Sequence, residues 1–458
     1  MHIRPRPARA LIPLVAATLA LAACGAAPER QRAAPSSTAT ASPAAQAAIP
    51  ATPVGDQLRW FLAAAAKPPI PEDQLTAHLS AGFLSQVPPD KLNELFGRLS
   101  ELRLDRLTEV KPTSLVGRVM VDGEPLTLSI AVDSAGKIDK LLLSAADQPS
   151  AAPMPASWDE IDTRLRAVAP DVGFLAAEIT ADGSCRPVHA ISPAVARPTG
   201  SLFKLYVLGA VAERIRAGKL SWDTPLTITD RVRIPPGVLY EKPAGSVVPL
   251  REAAKLMISI SDNAATDLLM EKVGRAAVEA QVRRWSTHAS LNIPFLTTRE
   301  FVLLKAADYP RLADTYAGLK GEQRRRFLET TVAQASLEGL KEWTEPRHVT
   351  SVEWFGSPSD VCRAYAGLAK LDSEPLNKVM SANDAGLGLD RERWPTVWYK
   401  GGSEVGLLTM GFLARSAEGR TYVVTALTSN PRAAYDEARA ANELLALIRG
   451  SFTLLAGS

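Results

Sequence analysis

Runs with a period of two stand at both ends of the last 300 or so residues, and no other feature constrains the fold as much. Residues 172–179 form one such run, turned at Asp182-Gly183, and 397–400, 407–414 and 422–429 form three more near the end of the chain. A helix is expected at 157–168, helical patterns fill the middle, and a last helix is expected over 432–449. Strands from both ends join one sheet only if the two ends of the domain meet. The expectation is an α/β sandwich with its sheet flanked by helices.

Two compositional breaks organise the rest of the 458 residues. Residues 24–52 are mostly Ala, Pro, Ser, Thr and Gln and cannot bury a core, so they read as a tether. Residues 148–156, rich in Pro and Ala, read as a second linker. Between them, residues 53–147 make a small unit. Residues 58–62, 73–84 and 91–104 carry helical spacing, after which 114–121, 126–132 and 137–144 read as strands joined by Asp122-Gly123 and Ser134-Ala135-Gly136. This α+β pattern resembles the cystatin-like or NTF2-like cone. It shows no paired carboxylates or histidines for catalysis, so a binding or spacing role is expected. Residues 157–458 are the larger domain.

Residues 1–23 pair a basic start with a short apolar run, an export signal too short to span a membrane comfortably. The run ends in Leu21-Ala22-Ala23-Cys24-Gly25, which resembles the bacterial lipobox. That resemblance implies an acylated Cys24 and an extracytoplasmic, membrane-anchored lipoprotein of the cell envelope; an ordinary secretory signal is the alternative. Of the three cysteines, Cys185 and Cys362 remain, and they read as unpaired core residues because nothing in the sequence shows them close. A net charge of +3, with no basic block, makes no case for nucleic acid. No Cys/His/Asp cluster has ligand spacing, so neither a metal nor another cofactor is expected. A monomer is expected.

Three polar islands interrupt apolar text: Ser201-Leu-Phe-Lys204, Ser261-Asp262-Asn263 and Lys400-Gly401-Gly402-Ser403. A serine hydroxyl is a weak nucleophile without a neighbouring base. A lysine three residues on in a helix shares its face, and burial in the apolar stretch 202–211 disfavours its charged form. Ser-x-x-Lys, Ser-Asp-Asn and Lys-x-Gly in this order resemble the class A β-lactamases and penicillin-binding proteins. The resemblance extends over about residues 157–455 and implies a serine β-lactamase-like fold with an antiparallel sheet. It also implies roles. Ser201 is the nucleophile, with its own N–H and that of Ser403 forming an oxyanion hole. Lys204 is the base, Ser261 relays a proton, and Asn263 positions the substrate amide and Lys204. Lys400, Gly402 and Ser403 bind substrate, with Lys400 and the Ser403 hydroxyl holding its carboxylate. Asp262 is expected to hold its own loop.

Two departures qualify these roles. Gly401 stands where the family has Thr or Ser. The family's deacylating glutamate has only one candidate here, Glu345 in Trp343-Thr-Glu345-Pro346, which is similar to the start of the family's loop but lacks the Leu-Asn that should follow. Residues 296–356 form a charged helical insert without a family counterpart. The two-domain layout also resembles the clavulanate-pathway esterase-like proteins. The function expected is a serine hydrolase acylated at Ser201 by a small β-lactam or a related amide or ester, and deacylated by water. Two alternatives remain. One is a D,D-carboxypeptidase or penicillin-binding protein acting on cell-wall peptides, or an esterase, with slow deacylation. The other, favoured by Gly401 and the doubtful place of Glu345, is a non-catalytic binding lipoprotein.

Overall fold

A computed structural model describes residues 49–99, 101–145 and 152–457. The expected export signal, Cys24, most of the tether and the first part of the second linker lie outside them. The chain divides into two compact units, Met1–Pro149 and Ser150–Ser458.

The first unit opens with the helix Pro53–Ala65, where Thr52 accepts the N–H of Gly55 at 3.2 Å and Pro53 occupies the first helical position. Three short helices follow, Glu72–His78, Ala81–Gln86 and Pro89–Phe96, and then an antiparallel meander of Arg103–Val110, Ser114–Val121, Glu124–Val132 and Ile138–Ala145. Val54, Leu58 and Phe61 share a core with Val119, Leu128 and Ile130 of the sheet. Here the sequence reading needs correction. The helix expected at 91–104 stops at Phe96, and Arg103–Val110 is a fourth strand. It is an edge strand carrying Arg103, Asp105, Arg106 and Glu109, and charges that blunt an edge also break the apolar alternation by which a strand is recognised.

In the second unit, five antiparallel strands lie in the order Thr396–Glu404, Leu407–Arg415, Thr421–Ser429, Asp171–Ile179, Cys185–Ile191. The two ends of the domain do meet: Thr421–Ser429 pairs with Asp171–Ile179 along its whole length. Alternation sorts the side chains. Val397, Tyr399, Met410, Phe412 and Val424 face a core closed by helices Trp158–Val168 and Glu437–Ala456, while Trp398, Leu413 and Val423 face a larger core under the remaining helices. The insert folds as helices Thr298–Ala306, Arg311–Gly318 and Gly321–Thr330, tied back by Arg275 to Glu300 at 2.6 Å and Arg325 to Glu279 at 2.9 Å.

Cys185 and Cys362 are joined in a disulfide, which corrects the reading of two unpaired residues. Cys362 lies in helix Pro358–Ala369, which packs across strands Asp171–Ile179 and Cys185–Ile191. This brings the Cα atoms of residues 177 apart in sequence to 6.3 Å, within bridging range. Only tertiary packing supplies that proximity.

Candidate active site

Ser201 lies in a 3₁₀ turn, Gly200–Phe203, which runs directly into the α-helix Lys204–Arg216. Gly200 takes φ 50°, a conformation that glycine adopts without steric cost. The turn is pinned to the sheet by Thr409, whose hydroxyl lies 2.7 Å from Thr199 O and 3.1 Å from Gly402 O. Strand Thr396–Glu404 approaches so closely at Gly402 that a Cβ there would collide with the Ser201 nitrogen. Ser201 N–H is among the donors that the first turn of a helix leaves without an intrahelical partner, so it is suited to an oxyanion.

Lys204 is wholly buried, and its Nζ donates to Ser261 O at 2.6 Å, Ser261 Oγ at 2.9 Å and Asn263 Oδ1 at 2.9 Å. Three donors meet three acceptors. The ammonium thus points at the second motif, and no hydrogen bond described joins it to Ser201, the partner that helical spacing suggests. Burial pushes Lys204 down to about 7, against the negative charges of Asp262 and Asp267. Its neutral form is therefore well populated near neutral pH, as a general base requires.

Ser261 is held at φ 60°, unusual for a residue with a side chain. Its Oγ also accepts from Lys400 Nζ at 3.1 Å, and Lys400 donates to Gly401 O at 2.6 Å. Both lone pairs of the Ser261 hydroxyl are thus engaged by lysines, which frees its proton for donation. Lys400 is buried, and burial first and Lys204 second hold its ammonium well below the usual lysine range. Asp262, also buried, caps helix Asn263–Val273 by accepting from Ala265 N at 2.8 Å, and clamps the loop before it through Val238 N at 2.6 Å and Leu239 N at 2.9 Å. Asn263 donates to Pro235 O at 3.0 Å.

At Gly401 the Tyr399 hydroxyl occupies the space a side chain would need, so the family's Thr or Ser does not fit beside this tyrosine. Ser403, near the end of the same strand, is half-buried.

Glu345 is exposed and makes none of the described hydrogen bonds to the motif residues. Glu353 is the carboxylate that touches the serine turn: its Oε2 accepts from Gly200 N at 3.3 Å and Trp354 N at 3.0 Å. Glu404 accepts from the fully buried Lys305 at 2.5 Å. Glu353 Oε1 and Glu404 Oε2 are buried without a hydrogen-bond partner among the described residues. Burial, reinforced by the charge of Glu404 and opposed by Lys305, pushes Glu353 up to about 8. Burial raises Glu404 as well, against Lys305. The sequence reading missed all three residues. Glu353 does precede Ser357-Pro358 and Glu404 follows Ser403, yet neither position reveals burial.

With this geometry in place, the second unit can be compared with known proteins. Residues 158–349 match the family model described as the β-lactamase enzyme family, and the domain that contains them belongs to the serine β-lactamase superfamily. Residues 49–138 match a separate model, described as the ORF 12 gene product N-terminal domain. Similar solved structures include a β-lactamase from Sphaerobacter thermophilus, at 16% identity over 66% of this chain and 98% of that one, TM-score 0.44. An ancestral class A β-lactamase is 19% identical over 65% of this chain and 98% of its own, TM-score 0.44. The penicillin-binding protein PBP-A is 16% identical over 67% of this chain and 100% of its own, TM-score 0.42. No curated protein matches the chain.

Proposed function

We propose that the protein is a serine hydrolase that forms an acyl-enzyme at Ser201 with β-lactams or related esters and amides and releases it to water. The observation that carries this reading is the convergence of Lys204 and Lys400 on one hydroxyl, Ser261 Oγ, beside the serine turn. Such an arrangement has little structural value, because it buries two lysines with no carboxylate bonded to either among the described residues, and strongly perturbed groups mark functional sites. In this mechanism neutral Lys204 takes the Ser201 proton as Oγ adds to the acyl carbon. The N–H groups of Ser201 and Ser403 receive the oxyanion. Ser261 then hands its hydroxyl proton to the leaving group as the bond to the acyl carbon breaks, and takes in its place the proton that Lys204 gained, across their 2.9 Å hydrogen bond.

Time-resolved mass spectrometry of the intact protein with a penicillin, a chromogenic cephalosporin and a p-nitrophenyl ester tests the reading. An acyl adduct on Ser201 that is absent from Ser201→Ala is expected; turnover by that variant at the wild-type rate would overturn the mechanism. The exposure of Glu345 favours a second reading, a penicillin-binding protein or D,D-peptidase with slow deacylation, for which the penicilloyl adduct would persist. We further propose that the protein is exported and anchored by lipid at Cys24. A mature N-terminus bearing diacylglycerol on that cysteine supports this, and an intact residue 1–23 segment in the mature protein contradicts it.

A further inference from the structure

The insert reaches the serine turn and the lysine strand at once. Trp354 O accepts from Thr199 N at 2.8 Å and from Thr199 Oγ1 at 3.0 Å, and Glu353 Oε2 accepts from Gly200 N at 3.3 Å. The two residues before Ser201 therefore hang on residues 353–354. The Trp354 ring stacks on Phe203 of the turn, with centroids 3.7 Å apart, and on Phe301 of helix Thr298–Ala306, at 4.9 Å, and its Nε1 donates to Leu296 O at 3.1 Å. Lys305, four residues on from Phe301 and so on the same face of that helix, sets its Nζ 4.5 Å from the Phe301 ring centre and donates to Glu404 Oε1 at 2.5 Å. Glu404 ends the strand Thr396–Glu404, directly after Ser403, and Gly402 of the same strand lies against the Ser201 nitrogen. Turn, loop, insert helix and strand thus close a ring. Ser201 and Ser403, whose N–H groups the acyl-transfer reading assigns to the oxyanion, belong to two of its members.

The Lys305 side chain is wholly buried and that of Glu404 is 6% exposed. An ion pair taken out of water gives little net stability, because desolvation offsets most of the attraction and apolar residues of like volume often serve as well. What it does supply is a fixed distance, since each charge is held where its partner stands. We infer that Lys305 is a positioning residue for the oxyanion site: through Glu404 it holds the strand that carries Ser403 at a set distance from the turn that carries Ser201, while Phe301 and Trp354 brace the turn. This rests on the acyl-transfer reading above. Oxyanion donors act by geometry, within about 2.7–3.1 Å of the oxygen that gains charge, so slack at the strand end weakens the bond where it matters most. Lys305 bonds no residue of the three motifs, so its loss should slow the chemical step more than it weakens substrate binding.

The test compares wild type and Ser201→Ala with two variants. Lys305→Met/Glu404→Gln removes both buried charges together, and Phe301→Leu loosens the stack while keeping the ion pair, so it carries the test if the paired variant fails to fold. Each protein is mixed with p-nitrophenyl acetate labelled with carbon-13 at the carbonyl, and the acyl-enzyme carbonyl band is followed by rapid-mixing infrared spectroscopy, alongside kcat, KM and thermal denaturation. Hydrogen bonds to the carbonyl oxygen lower that band. The paired variant is expected to show the band at higher wavenumber and acylation slowed by about tenfold, less than the roughly 10²–10³-fold for losing a donor outright, with KM little changed. Phe301→Leu should move both in the same direction by less. A band and rate unmoved in the folded variants, whatever their melting temperatures, leave the ring a merely structural role and overturn the inference alone. Absence of a wild-type acyl band that depends on Ser201 overturns the inference together with the acyl-transfer reading.

Discussion

Two buried clusters of charge lie beside the Gly200–Phe203 turn, and they treat their lysines differently. Lys204 and Lys400 converge on hydroxyl, carbonyl and amide oxygens, and among the described residues no carboxylate bonds either of them. Lys305 has a carboxylate partner, Glu404, and in the acidic cluster around it two carboxylate oxygens have no hydrogen-bond partner among the described residues. A buried ion pair neutralises charge, whereas a buried lysine among neutral acceptors lowers its own proton affinity. In the proposed mechanism the first cluster therefore supplies a base near neutral pH. The second holds a carboxyl that prefers its proton and accepts from the backbone N–H of Gly200, next to Ser201.

The sharpest way to break this contrast is to remove the base. Lys204→Met, which keeps the apolar bulk of the stem, is expected to lower the acylation rate by about 10²–10⁴-fold, the range for loss of a positioned acid–base group. The wild-type rate should rise with pH through about 7 as Lys204 loses its proton, and the variant should lose that rise. A pH–rate profile with no inflection near 7 in the wild type would remove Lys204 from the base's role. A smaller effect is expected at the contact between turn and strand. Gly402→Ala places a methyl against the Ser201 nitrogen and should lower acylation by about tenfold, while costing about 1–3 kcal/mol of stability for overpacking. Acylation kinetics with thermal denaturation would separate the two effects.

The smallest effect belongs to the acidic cluster and appears in stability. The Glu353 carboxyl, raised to about 8 from its ordinary value of 4.5, binds its proton more tightly in the folded state. Its contribution is present in full below about pH 4.5 and is lost as pH rises through about 8. Glu353→Gln should abolish that loss, so its melting temperature is expected to exceed the wild-type value by a few degrees at pH 9 but not at pH 5. Calorimetry at both values checks this, and parallel pH dependence in the two proteins would contradict it.

Much of this architecture was legible in the sequence. Strand period two at both ends of the larger domain foretold a sheet closed by its termini, because alternation is a local property of a half-buried strand. Ser201, Lys204, Ser261, Asn263 and Lys400 were likewise identifiable in three islands, since polar residues in apolar text stand out. The edge strand Arg103–Val110 was not legible, because its charges hide the period. Nor was the acidic cluster, because nothing local in the sequence tells that Lys305, Glu353 and Glu404 are buried by packing.

By itself, then, the sequence determined that Ser201, Lys204, Ser261, Asn263 and Lys400 stand as polar islands in apolar text and that the ends of the domain share one sheet, both being consequences of local pattern and residue type. Only the tertiary structure decided that Lys204 turns to Ser261 and Asn263, that Tyr399 excludes a side chain at Gly401, and that Cys185 bonds Cys362. Each of these depends on the distance between segments far apart in the chain, and on how much water packing leaves around them. Neither quantity is encoded in any one stretch of residues.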